Sequence, residues 1–158
     1  MIKRGKNGQA LVEMALVMPL LILVLLCGVV DFGFVLYRYI SLQQLANEAT
    51  SSAAEWQYRP GVAITGPMIE AWLTNTASHT LPACWTISEV QKIRATVKTV
   101  DTSDKQAKIL VVGLVYDAPL YTPFFQAMFK KIVGKPGITL ATEVAYQIPQ
   151  NILRENGS

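Results

Sequence analysis

Residues 10–30 read ALVEMALVMPLLILVLLCGVV, a run in which Glu13 is the only charged side chain. Wound as a helix at about 1.5 Å per residue, such a run crosses the roughly 30 Å of hydrocarbon in a bilayer. It therefore predicts a membrane anchor. Pro19 frees one backbone carbonyl inside it, which membrane helices tolerate. Glu13 is the costly residue: a carboxylate at the bilayer centre costs about 2.5–3.5 kcal/mol, less toward the interface, and such residues usually have a partner.

The segment before this run carries Lys3, Arg4 and Lys6, which account for the whole formal charge of +3. From Gln9 onward eleven Lys and Arg balance eleven Asp and Glu. The outer part thus lacks the basic excess that nucleic-acid binding needs, and no nucleic acid is expected as a partner. A short basic segment ahead of a first membrane helix stays cytoplasmic, so the chain after Asp31 is expected outside the cytoplasm. The run is longer than the apolar part of a secretory signal and ends in no small-x-small site. Leu26, ahead of Cys27, also argues against a lipoprotein cleavage.

Beyond Val30, apolar and small residues recur at helical spacing: Phe32, Val35, Leu36, Tyr39, Leu42, Ala46, Ala49, Ala53 and Trp56. Arg38, Gln44, Asn47, Glu48, Ser51 and Glu55 fall on the other side. The membrane helix is expected to continue as an amphipathic stalk until Arg59-Pro60-Gly61 breaks it. Pro67 opens a short helix containing Ile69 and Leu73. Lys92 to Val100 alternates, with Ile93, Ala95, Val97 and Thr99 on one face, as a half-exposed strand does. Asp101 to Gln106 reads as a turn. Ile109 to Tyr116 is apolar on both faces, the pattern of a central strand. A short helix is expected around Phe124, Phe125, Met128 and Phe129, then a last strand with Ile138, Leu140, Val144 and Tyr146 inward. The expected fold class is α+β: a long N-terminal membrane helix packed on a small three-stranded, mostly antiparallel sheet.

The organisation that follows is a basic cytoplasmic leader at 1–8, a long helix at 9–57 with its span at about 10–30 and its stalk at 31–57, and an extracytoplasmic α+β domain at 58–158. No cofactor or metal is expected, and no enzyme. His79 is the single histidine, which removes the usual triads and multi-histidine metal sites. Asp31-Phe32-Gly33 spells a kinase magnesium motif without its phosphate loop or catalytic loop, a chance match. Cys27 and Cys84 are the only cysteines, and a helical stalk keeps them too far apart to pair.

Gly8-Gln9-Ala10-Leu11-Val12-Glu13 resembles a class III signal, in which a prepilin peptidase cuts after the Gly and the mature chain carries Glu at its fifth position. The longer stretch to Leu20, followed by Gly28-Val29-Val30-Asp31-Phe32-Gly33, is similar to the TadE-like family of pseudopilins and minor pilins in tight-adherence (Flp-type) pilus systems. The resemblance covers about the first 50 residues and implies a pilin-like fold. It also implies a processing site at Gly8 and Gln9, and a subunit-assembly contact at Glu13 with the freed amino terminus of a neighbour. Implied partners are the prepilin peptidase, other major or minor pilins, the inner-membrane assembly platform and membrane lipid. The implied place is the bacterial inner membrane, single-pass, with the N-terminus cytoplasmic, or the pilus itself. Major pilins of such systems have Tyr after the Glu and are much shorter; Met14 and the 158-residue length point to a minor pilin or pseudopilin acting in pilus initiation or assembly. The competing reading is a single-pass membrane-anchored ligand-binding or sensor domain.

Overall fold

A computed structural model of the chain describes residues 6–57, 63–75, 79–101 and 107–149. The expected break at Arg59-Pro60-Gly61 and most of the expected turn at Asp101 to Gln106 lie outside the described residues. The elements are α1 (Lys6–Gln57), α2 (Gly66–Thr74), α3 (Ile87–Val90), β1 (Arg94–Asp101), β2 (Ala107–Pro119), α4 (Pro123–Val133) and β3 (Gly137–Pro149). The architecture is α+β: a long N-terminal apolar helix packed on a three-stranded antiparallel sheet.

Helix α1 runs unbroken for 52 residues with Pro19 inside it, a length of about 80 Å at 1.5 Å per residue. The chain divides into two compact units along this helix. One joins α1 up to Val35 with Pro119–Gly137; the other joins Leu36–Ala118 with the chain from Ile138.

In the second unit the sheet order is β1-β2-β3, which puts the strand that is apolar on both faces in the centre. β1 and β2 pair antiparallel from Arg94 opposite Val115 to Asp101 opposite Lys108. β3 runs antiparallel to β2 as well, since Thr139 meets Asp117 while Glu143 lies over Gly113. Leu110, Val112, Leu114 and Tyr116 alternate along β2 and are all buried. Against this core α1 contributes Leu42, Leu45, Ala46, Ala49 and Ala53, each fully buried. The small Ala side chains let the helix backbone come close to its neighbours, and the leucines fill the rest of the space.

Three expectations fail here. Tyr146 shares the parity of the buried Leu140 and Ile148, yet it is 45% exposed. Arg38, placed by periodicity on the outer side of the stalk, is only 5% exposed. Leu36, placed on the inner side, is an exposed residue. The buried stripe therefore passes through Arg38, Ser41, Leu42, Leu45, Ala46, Ala49 and Ala53.

Helix α2 opens with Pro67 in its first turn and buries Ile69 and Leu73. It packs on β1, and the approach is close at Gly66, where a Cβ would collide with the Ala95 carbonyl. Glu70 Oε1 accepts the Ala95 N–H at 3.0 Å, giving an edge strand an extra acceptor. Helix α3 is a single turn whose Glu89 carboxylate accepts the Thr86 N–H at 3.2 Å and its hydroxyl at 3.0 Å, a capping-box arrangement.

Candidate functional site

In the first unit the apolar run is exposed on every side of α1. Leu11, Leu16, Leu20, Leu25 and Val29 point around the helix, and Leu16 is 75% exposed. A helix that is apolar all round either sits in the core of a large protein or spans a bilayer; among the described residues this stretch is mostly exposed, with Phe125 against it near Gly28. Among the described residues α1 is the one helix long and apolar enough to cross a membrane. Glu13 lies on this exposed stretch, with Leu11, Val12, Met14, Leu16 and Val17 as exposed neighbours in the chain.

The sequence-expected processing pair, Gly8 and Gln9, falls within the first turns of α1. Gln9 and Glu13 are four residues, about one turn, apart along this helix. Lys3 and Arg4 of the basic leader lie outside the described residues.

The end of the apolar run is fixed by Asp31. Its carboxylate is fully buried and accepts the N–H groups of Tyr121 at 2.8 Å and Thr122 at 3.0 Å, together with the Thr122 hydroxyl. Thr122 is the N-cap of α4. The first N–H groups of a helix have no partner within it, and a negative charge there is stabilised by the helix dipole. Asp31 thus caps α4 from a distant point in the chain. Phe125 reaches back onto the same region of α1: its ring is 5.9 Å from Phe32, centroid to centroid, and 3.2 Å from where a Gly28 Cβ would stand. Below this contact runs an open apolar groove of about 730 Å³, lined by Val17, Leu20, Leu21, Val24, Gly28 and Phe125 among others.

In the second unit, Arg38 replaces apolar packing by a satisfied polar network. Nη1 donates to Tyr116 Oη at 2.6 Å and Nη2 to Glu89 Oε1 at 2.5 Å. The guanidinium carbon lies 5.7 Å from the Tyr116 ring centre and 5.8 Å from that of Trp85, within the range of cation–π attraction. Partial burial pushes the Glu89 carboxyl up, but hydrogen bonds from Arg38 and Thr86, with the Arg38 charge, outweigh this and hold it below the usual glutamate value. Cys27 and Cys84 are free thiols, and Cys84 Sγ donates to Ser41 Oγ at 3.2 Å.

Sequence reading missed both polar anchors. Thr86 and Glu89 at capping-box spacing were a usable signal for α3. Asp31 and Arg38 had none, because the hydrogen-bond partners of each come from residues about 50 to 90 positions away.

Residues 8–51 match the family model of the TadE-like protein, which agrees with the resemblance of the Gly8–Gly33 stretch. The match covers Gly8, Gln9, Glu13, the whole apolar run and most of the buried stripe. No curated protein and no solved structure matches the chain.

Proposed function

We propose that this protein is a membrane-inserted minor pilin or pseudopilin of a tight-adherence pilus, acting in pilus initiation or assembly and not in catalysis. The observation that carries the reading is the apolar half of α1, exposed on all sides with one carboxylate, Glu13, near its start. For a simple anchor a carboxylate there raises the cost of insertion. A subunit that assembles in lipid does gain from it. Cleavage after Gly8 frees the amino group of Gln9, and the Glu13 carboxylate of an adjacent subunit neutralises it. Each charge then has its counter-charge in a place where an unpaired one is expensive.

In this reading the basic leader faces the cytoplasm, where the prepilin peptidase and the inner-membrane platform act, and the sheet unit lies outside. Residues 10–30 pack against other pilins after leaving lipid. N-terminal mass spectrometry of membrane-extracted protein, from cells with the cognate peptidase, tests the processing step. The mature chain should begin at Gln9. An intact leader on most of the protein, with the peptidase present, removes the pseudopilin reading.

A further inference from the structure

Helix α4 carries more apolar side chains than α1 covers. Phe125 is the buried residue, and Phe129 lies 6.4 Å from Phe32. Facing out are Phe124, 51% exposed, and Ile132, 73% exposed, with Tyr121 and Val133 also exposed. At 3.6 residues per turn Ile132 stands two turns beyond Phe125 and about 80° around the helix from Phe124, so the exposed apolar surface spreads over neighbouring faces. Lys130 and Lys131 occupy the last turn, and Gly134 closes the helix in the left-handed region, with φ 83°, its N–H donating to the Lys130 carbonyl. Lys135 follows directly. No Asp or Glu occurs from Pro119 to Gly137.

The depth of α4 along α1 is fixed. Tyr121 packs on Phe34 at 5.0 Å, Thr122 is held by Asp31, and Phe125 meets Gly28 and Phe32. These contacts all fall within Gly28–Phe34, about 9 Å of helix, where the uncharged run ends. That is the level of the bilayer surface for a helix whose residues 10–30 are in hydrocarbon.

From these observations we infer that α4 is an interfacial helix, seated on an anionic lipid leaflet with Phe124 and Ile132 in the acyl boundary and Lys130 and Lys131 at the headgroups; the inference rests on the membrane-inserted reading above. Aromatic and apolar side chains beside lysines are what a helix lying in the interface presents, and its binding sums apolar burial with attraction to anionic headgroups. The Asp31 cap then has a purpose beyond helix ends: it pins the lipid-facing helix at one depth, and a carboxylate that is itself satisfied by N–H donors can sit at that depth.

The test places a photo-crosslinking benzoylphenylalanine at Phe124 in the full chain, reconstituted in phosphatidylcholine vesicles containing a minor share of phosphatidylglycerol, and identifies adducts by mass. Lipid adducts are expected, with phosphatidylglycerol enriched several-fold over its share of the bilayer. Lys130→Gln with Lys131→Gln should return that ratio to the bulk share. No lipid adduct, or crosslinks mainly to a second copy of the chain, would overturn the inference, and adducts at the bulk share in the unmodified helix would overturn its electrostatic part. The same photo-residue at Leu21 separates the two readings. Lipid adducts there with none at Phe124 overturn the interfacial helix alone, whereas none at either position overturns membrane insertion as well.

Discussion

One helix, α1, obeys two different rules along its length. Up to Val30 its leucines and valines are exposed on every side; from Arg38 to Ala54 only one stripe is buried, and that stripe is built of Leu, Ala, Ser, Thr and a single Arg. The same backbone carries both because helix formation is local, whereas what a helix face needs is set by its surroundings. The lesson is that continuity of secondary structure says little about continuity of environment. Charges mark the change. Asp31 and Arg38 stand where the uniform run gives way to the stripe, and each is satisfied by donors or acceptors from elsewhere in its own unit.

The sharpest way to break this comparison is to make the same substitution in both halves. Leu42→Ala removes a fully buried side chain and should lower the stability of the sheet unit by about 2–5 kcal/mol, read by denaturant unfolding in detergent micelles. Leu20→Ala, on the exposed half, should leave the same transition within about 0.5 kcal/mol. Equal losses would mean that the apolar half also packs as protein core.

Arg38 comes next in size. Arg38→Ala removes the guanidinium donor to Tyr116 Oη and Glu89 Oε1, while Glu89 keeps its Thr86 donors, at a cost of about 2–3 kcal/mol, below the full figure for a buried pair because Glu89 is partly solvated. A thermal melt unchanged by this substitution would show the network to be incidental. Gly66→Ala should cost about 1–2 kcal/mol, since the new methyl group meets the backbone carbonyl of Ala95 and cannot push it aside cheaply. The expected signature is a lower midpoint with the exposed half of α1 unaffected.

The smallest effect is a pH dependence. The folded Glu89 carboxyl titrates below the ordinary value of 4.5, so its contribution to stability is present above that value and is lost as pH falls through the lower, folded one. The melting temperature of the sheet unit should fall as pH drops below about 4.5, and part of that fall should vanish in Glu89→Gln. An identical acid profile for the two chains would remove Glu89 as a contributor.

Much of this arrangement is legible in residue order. The uncharged run and the following period near 3.6 predict α1, and the two-faced apolarity of Ile109 to Tyr116 places β2 at the centre of the sheet. Pro67 marks α2, and the aromatic cluster marks α4. What residue order leaves out is long-range pairing. A charge on a helix is by default a solvated charge, and only the arrival of Tyr116 and Glu89 makes an inward Arg38 tolerable. Asp31 is likewise opaque until Tyr121 and Thr122 are seen to present their N–H groups. Tyr146 fails differently: parity puts it inward with Leu140 and Ile148, yet it is 45% exposed. For the candidate site, the exposed apolar half and Glu13 are readable from the run itself, whereas the lipid-facing side of α4 depends on knowing which of its phenylalanines α1 covers.

The central claim is that the exposed half of α1 serves assembly and not only anchoring, and Glu13→Ala tests it most directly. Removing the carboxylate takes a charge out of the apolar run, so insertion should be equal or easier, by up to about 3 kcal/mol. Assembly should suffer, because the amino terminus of a neighbouring subunit loses its counter-charge in lipid. The measurement is piliation, with co-purification of other pilins, at matched membrane levels of the two chains. The account predicts normal insertion and Gly8 cleavage with strongly reduced piliation. Normal piliation by Glu13→Ala at normal protein levels would contradict it.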